Sequence, residues 1–220
     1  AFSENFILVL SHDEVVHLKC SMINKMPGYP QDKFKNLKTA YTFMLGHPGR
    51  KLLFMGQEFA QLQEWSEARS LDWYLLDEHK DMQEYVKKLL HLYKEYPALY
   101  TETKGYGAFE WINANDCERS IFSFIRKTTE ADYKNSIGFV CNFTPMERPD
   151  YVVGVPKAGT YKRLVTTETG EKQVVSYRAK KGECDGRPYR LEIPLRPYES
   201  VVFEFPKTRK KKATPKKKTK

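Results

Sequence analysis

The hydrophobic period of this chain changes from 3.6 to 2 near residue 105, so no single layer architecture accounts for both halves. Before the change, two short apolar runs, Phe6-Ile7-Leu8-Val9-Leu10 and Leu52-Leu53-Phe54-Met55, each lead into polar residues. Continuous runs of this length read as strands buried on both faces, the kind parallel sheets contain. Between them Phe34, Leu37, Tyr41, Met44 and Leu45 recur at helical spacing. Asp32 stands as the expected N-cap and Gly46 as the C-terminal glycine. Residues 6–55 are therefore expected to form one β-α-β unit with a right-handed crossover. Two parallel strands and one helix cannot cover both faces of their own sheet, so residues 1–104 are expected to be the last portion of a larger α/β domain.

Residues 21–31 read as a Pro/Gly-rich loop, and 57–76 as a long loop held in order by Trp65 and Trp73. Met82, Tyr85, Val86, Leu89, Leu90, Tyr93 and Tyr96 then mark an amphipathic helix that Pro97 ends. After the change of period, eight short alternating stretches follow, at 109–111, 121–124, 137–141, 151–153, 161–165, 174–177, 189–193 and 201–205. That pattern predicts an antiparallel sandwich or barrel over 105–206, expected to be able to fold alone.

The formal charge of +9 is concentrated at one end. Residues 207–220 hold nine of the 37 lysines and arginines and none of the 28 acids, which leaves the rest balanced at 28 against 28. A nucleic-acid face needs basic residues spread over structured elements, so nucleic acid is not the expected partner and 207–220 reads as a disordered, solubilising tail. No run of eighteen apolar residues suggests a membrane span. No signal peptide is evident at Ala1-Phe2-Ser3-Glu4, which reads as the start of a cut piece. The four cysteines, at 20, 117, 141 and 184, show no paired spacing. They suit reduced thiols better than a disulfide framework or structural zinc, and Cys20 is expected to be buried or half-buried.

Most chemistries are disfavoured by spacing. His12 and His17 lie five apart, whereas a zinc-binding helix needs two histidines four apart, so no metal is expected. There is no GxSxG nucleophile turn, and Gly46, Gly49 and Gly56 do not form a phosphate loop. The polar cluster His12-Asp13-Glu14 stands at the end of the first expected strand, where α/β folds place ligand chemistry. Trp65 and Trp73, near Glu58, Glu64 and Asp72, suit apolar sugar faces and hydroxyl networks, or equally the anchoring of a loop.

Four motifs in order sharpen the reading: Leu10-Ser11-His12-Asp13-Glu14-Val15-Val16-His17, Lys25-Met26-Pro27-Gly28, Gly46-His47-Pro48-Gly49 through Gly56-Gln57-Glu58-Phe59, and Glu64-Trp65 through Arg69-Ser70-Leu71-Asp72-Trp73. Together they resemble the C-terminal third of bacterial-type glycogen (1,4-alpha-glucan) branching enzymes of the alpha-amylase superfamily. Residues 105–206 resemble that superfamily's all-β C-terminal domain, most visibly at Pro194-Leu195-Arg196-Pro197-Tyr198-Glu199-Ser200-Val201. The resemblance implies that 6–10 and 51–55 are the seventh and eighth strands of a TIM (β/α)8 barrel. It makes Asp13 the third catalytic carboxylate, which binds sugar hydroxyls and stabilises the oxocarbenium-like transition state. His12, Glu14, Glu58 and Trp65 become candidate substrate-binding residues. The implied partners are an alpha-glucan, either glycogen or a linear maltooligosaccharide, and the preceding part of the same polypeptide. No cofactor is implied, and the expected compartment is the cytoplasm.

Retaining transfer also needs a nucleophilic carboxylate and an acid/base carboxyl, which the family carries after its fourth and fifth strands. This chain contains neither strand and is expected to be inactive alone. It departs from the family at Leu18, Gln57 and Ala60, where glycine is usual. The alternatives are another superfamily enzyme such as a trehalose-forming hydrolase, a non-catalytic glucan-binding module over 105–206, and a basic-tail polyanion binder. Trp111 is expected in the sandwich core and Trp73 as a loop anchor. His79 and His91 are expected on helix surfaces.

Overall fold

A computed structural model describes residues 10–101, 106–129, 133–168 and 174–207. Helices α1 (Met22–Lys25), α2 (Pro30–Gly46), α3 (Leu75–Glu78) and α4 (Lys80–Glu95) come first. Nine strands follow among the described residues: β1 (Phe109–Asn113), β2 (Ile121–Arg126), β3 (Ile137–Asn142), β4 (Val152–Val155), β5 (Thr160–Thr166), β6 (Ser176–Arg178), β7 (Lys180–Cys184), β8 (Arg187–Glu192) and β9 (Ser200–Glu204). They form a six-stranded sheet in the order β1-β2-β3-β9-β5-β6 and a three-stranded sheet in the order β4-β8-β7, and every pairing is antiparallel. All eight expected strands have counterparts. The ninth, β7, has the sequence Lys-Lys-Gly-Glu-Cys. It carries no apolar alternation because it is an edge strand without a fully buried residue.

The six-stranded sheet is covered on both faces, which is why β3 is buried at every position and β9 at all but its last. Alternate side chains go to different cores. Ile137, Phe139, Phe124 and Val202 pack toward the helices, whereas Ile121, Ile125, Val140, Val201 and Phe203 pack toward the three-stranded sheet. Arg187 of β8 ties the two sheets together by donating to Glu110 Oε1 of β1 at 2.5 Å. Burial works against the Glu110 carboxylate. Hydrogen bonds from Arg187, Lys127 and Tyr133 overcome that cost and hold its pKa below the ordinary value.

Helix α2 lies between this sheet and α4. Leu37, Tyr41, Met44 and Leu45 of α2 share one core with Met82, Tyr85, Val86, Leu89 and Leu92 of α4. Thr42 Oγ1 and the Tyr85 hydroxyl, 2.5 Å apart, join the two helices inside it. Helix α2 begins two residues before the expected cap. Tyr29 caps it, Pro30 occupies the first turn, and Asp32 sits inside that turn, where a carboxylate favours the helix dipole. Gly46 also plays another part than expected. It is the last helical residue, followed by an extended His47, and a Cβ there would meet the Phe139 and Phe124 rings at 2.7 and 2.9 Å. Cations close this helix end: Arg126 Nη1 donates to Gly46 O at 2.7 Å, and Lys51 Nζ donates to His47 O and to Gly49 O. Burial, with Arg126 nearby, pushes the Lys51 amine down to about 7.

Other expectations for the first hundred residues are corrected. Residues 6–9 lie outside the described part, so the first strand is not described. Lys51–Met55 is not a strand: Phe54 donates its N–H to Gln57 Oε1 at 3.0 Å, and Gln57 returns its own N–H to Phe54 O at 3.0 Å. A parallel strand draws its ladder bonds from neighbours, and none flanks this segment among the described residues. The expected loop 21–31 contains α1, and the expected loop 57–76 contains a 3-10 turn, Gln57–Phe59, and the start of α3. The sandwich also shares a core with α2 and α4, because Phe109, Trp111, Phe124 and Phe139 pack against helix residues. The tail beyond Lys207 lies outside the described residues.

Candidate active site

His12, Asp13 and Glu14 form a single 3-10 turn. Ser11 starts it: the Asp13 N–H donates to Ser11 Oγ at 3.3 Å, and the Ser11 hydroxyl donates to Asp13 Oδ2 at 3.3 Å. His12 Nε2 stands 3.3 Å from Asp13 Oδ1, with the imidazole 56% and the carboxylate 70% exposed. Lys19 Nζ donates to Asp13 O at 2.8 Å and closes the turn from the other side. The His12 and Asp13 side chains are thus paired with each other and open to solvent.

Behind the turn runs a line of aromatic rings. The His12 and Phe54 centroids are 6.0 Å apart, and Phe54 meets Trp65 edge-on at 5.2 Å. Trp65 also donates its backbone N–H to Val15 O at 3.0 Å. It is half-buried and lines a small cleft with Val15, Met22, Met55 and Ala60. Packing and ligand contact, the two roles left open for it, are compatible in this position. Glu58 points elsewhere and lines a groove along α4 with Val86, Leu90 and Tyr93. The structure therefore groups His12, Asp13, Glu14 and Trp65 around one turn and sets Glu58 on another surface.

Sequence reasoning did not assign the side chain that shapes this turn. Glu64 accepts the Leu18 N–H at 3.1 Å and the Cys20 N–H at 2.6 Å, clamping the segment after the His12 turn from 44 and 46 residues away. That segment is strained, with left-handed φ values of 57° at His17, 65° at Leu18 and 66° at Cys20. Cys20 is consequently exposed, not buried as its residue type suggested. Ser21 Oγ and Asn24 Nδ2 donate to Leu62 O at 2.9 and 2.7 Å, a second tie between the same two loops. The long loop closes on itself through Gln61 and Asp72, which exchange two hydrogen bonds of 3.0 Å.

The remaining singled-out residues serve packing. Trp73 covers Phe59 at 5.8 Å and donates to Ser70 Oγ at 3.0 Å, although it is 54% exposed. His91 is exposed on α4 as expected, whereas His79 is half-buried at the N-cap position of that helix, with its Nδ1 2.9 Å from Phe59 O. Trp111 packs edge-on against Phe109 and Phe124 at 4.9 and 5.7 Å. Among the described residues no group of three or more His, Cys, Asp or Glu side chains could hold a metal, and no helix is long and apolar enough to cross a membrane.

Residues 111–206 match the family model described as the alpha amylase, C-terminal all-beta domain. A 1,4-alpha-glucan branching enzyme GlgB of Butyrivibrio fibrisolvens is 52% identical over 211 residues, which is 92% of this chain and 33% of that protein. The proteins of the same name from Halothermothrix orenii and Aquifex aeolicus are 43% and 44% identical, each over 92% of this chain and 33% of their own length. The chain therefore spans about a third of the length of these curated relatives. In fold it is similar to a type I pullulanase from Bacillus subtilis solved with maltose, at TM-score 0.66 and 15% identity over 90% of this chain and 27% of that one. An isomaltulose synthase from Klebsiella sp. LX3 is similar at TM-score 0.58 and 14% identity, over 90% of this chain and 42% of its own.

Proposed function

We propose that this chain, which is similar to 1,4-alpha-glucan branching enzymes and whose residues 111–206 match the alpha amylase C-terminal all-beta domain, is the C-terminal portion of such an enzyme. The whole enzyme would cleave an alpha-1,4 bond, hold the glucan covalently, and pass it to a 6-hydroxyl to make an alpha-1,6 branch. The observation that carries this reading is the solvent-facing His12–Asp13 pair, 3.3 Å apart and backed by Phe54 and Trp65. Asp13 accepts hydrogen bonds from sugar hydroxyls, and those bonds tighten as the ring flattens toward an oxocarbenium ion. Such bonds contribute several kcal/mol, on the order of two to four powers of ten in rate. His12 donates to a neighbouring hydroxyl, Glu14 stands at the same turn, and Trp65 presents an apolar edge to the sugar.

The turn alone does not complete the reaction. A retaining transfer needs a nucleophile and an acid/base carboxyl about 5 Å apart on either side of the scissile bond. Asp13 and Glu14 are adjacent on one turn and cannot flank a bond from both sides. Glu64 is engaged by two backbone N–H groups, and Glu58 faces the α4 groove. The nucleophile and acid/base belong to upstream residues of the longer polypeptide. No metal or organic cofactor enters the reaction, and a cytoplasmic site of glycogen synthesis suits the chain.

The test is Asp13→Asn in the longer enzyme. Branching, followed by debranching and chain-length analysis, should fall by at least about a hundredfold, on the order expected when a transition-state hydrogen bond to a charged group is lost, while the melting profile stays unchanged. Near-normal branching by that variant overturns the assignment.

A further inference from the structure

The turn that carries His12 and Asp13 cannot keep its shape by packing. None of its three residues is buried, and the Asp13 carboxylate is 70% exposed. Hydrogen bonds from neighbouring segments must therefore fix it. One comes from Lys19, whose Nζ donates to Asp13 O at 2.8 Å. Lys19 is an exposed residue with a long, flexible stem, so this bond is well defined only where the Lys19 backbone is held. The residues on either side supply that hold. Leu18 donates its N–H to Glu64 Oε2 at 3.1 Å, and Cys20 donates to Glu64 Oε1 at 2.6 Å. A single carboxylate thus brackets Lys19, one oxygen on each side.

The backbone conformation explains why a carboxylate stands there. His17, Leu18 and Cys20 hold left-handed φ of 57°, 65° and 66° although none is glycine. Such residues persist only where their surroundings over-determine them. Left-handed residues also gather nearby N–H groups into a concavity that attracts an anion. This chain fills the concavity with its own side chain, Glu64. Glu64 is anchored in turn: Arg69 Nη2 donates to Glu64 O at 2.9 Å, and the next residue, Trp65, donates its N–H to Val15 O at 3.0 Å. One path of hydrogen bonds therefore runs from the 57–76 loop through the strained segment and the Lys19 amine to the Asp13 carbonyl. We propose that Glu64 and Lys19 are positioning residues for the His12–Asp13 pair. Glu64 fixes the Leu18–Cys20 backbone, and Lys19 carries that fixity to Asp13. Both act through Asp13 and not on substrate. That the pair serves glucan transfer rests on the proposed branching function. A displacement of about 1 Å near the reacting atoms can cost about a hundredfold in rate, and loosening this exposed turn should cost part of that.

Two measurements test this, one on the 220-residue chain and one on the longer enzyme. In the chain, Glu64→Ala should speed amide hydrogen exchange at Leu18 and Cys20 by about tenfold, the loss of a bond to a charged acceptor. It should also shift the His12 ring protons. Glu64→Gln keeps one acceptor oxygen and should return both signals part of the way. Lys19→Met removes only an exposed amine, so it keeps the test decisive if Glu64→Ala does not fold, and it too should shift the His12 ring protons. In the longer enzyme, Glu64→Ala should lower the branching kcat by about tenfold and Lys19→Met by a few-fold. The KM for glucan should stay within about twofold, as when an interaction serves only the transition state. In an Asp13→Asn background the same changes should cost less than about twofold, because residues acting through one group are not additive with its loss. A purely structural role would instead give the same fall in both backgrounds. That result, unchanged exchange at Leu18 and Cys20, or unmoved His12 signals in every variant each overturn the proposal. Near-normal branching by Asp13→Asn alone overturns the branching function instead. The exchange and ring-proton readings then still decide whether Glu64 and Lys19 position the pair.

Discussion

Leu18 and Ala60 illustrate how a single backbone angle explains a departure from family pattern. Both stand where the resemblance to branching enzymes implies glycine, and both hold left-handed φ, 65° and 56°. A side chain there costs on the order of 1 kcal/mol, which glycine avoids. Leu18 is 95% exposed and packs against nothing that would be lost. Leu18→Gly is therefore expected to raise stability by about 1 kcal/mol in urea denaturation, with the Glu64 clamp retained. Destabilisation by this change would mean that the Leu18 side chain has a partner outside the described residues. The third departure, Gln57, has a different physical basis. Its side chain accepts the Phe54 N–H, a bond glycine cannot form, and its own backbone is not left-handed; that conformation belongs to Gly56, at φ 82°.

At the scale of elements, the junction between α2 and β2–β3 is closely packed. Gly46 lets the helix end lie directly on Phe124 and Phe139, and Arg126 crosses from β2 to take its terminal carbonyl. Adding one methyl group there forces rings or helix to move. Gly46→Ala should cost about 1–3 kcal/mol, as overpacking a dense core does, even though alanine is the better helix former. Thermal unfolding checks this, and an unchanged midpoint would show that the helix end has slack. Serving the same contact, Arg126 places positive charge at the negative end of the α2 dipole, while the Lys51 amine, pushed down to about 7, donates to the His47 and Gly49 carbonyls.

At the scale of the molecule, the helices and the six-stranded sheet share one core. Phe109, Trp111, Phe124, Phe139 and Val202 of the sheet meet Leu37, Tyr41, Met44 and Leu45 of α2. A chain reduced to 106–206 keeps both sheets but uncovers this row of rings. Exposing several large apolar side chains, at roughly 2 kcal/mol each, should lower its unfolding free energy well below that of the 220-residue chain and let it bind a hydrophobic dye. A monomeric, dye-free 106–206 with undiminished stability would show that the helix-facing side needs no cover. The sandwich was expected to fold alone because alternation shows that a strand has a buried face; it cannot show what does the burying.

Alternation and helical spacing were enough to mark α2, α4 and eight of the nine strands, because both are local and repeat every two or every 3.6 residues. The motif around His12–Asp13 was equally legible, since its residues are adjacent in the chain. Three features were settled only in three dimensions. Glu64 reaches Leu18 and Cys20 across 46 and 44 residues, Gly46 is required by rings about 80 and 90 positions later, and β7 is a strand only because β8 pairs with it. Each depends on a partner far along the chain, and no local pattern records how the chain returns.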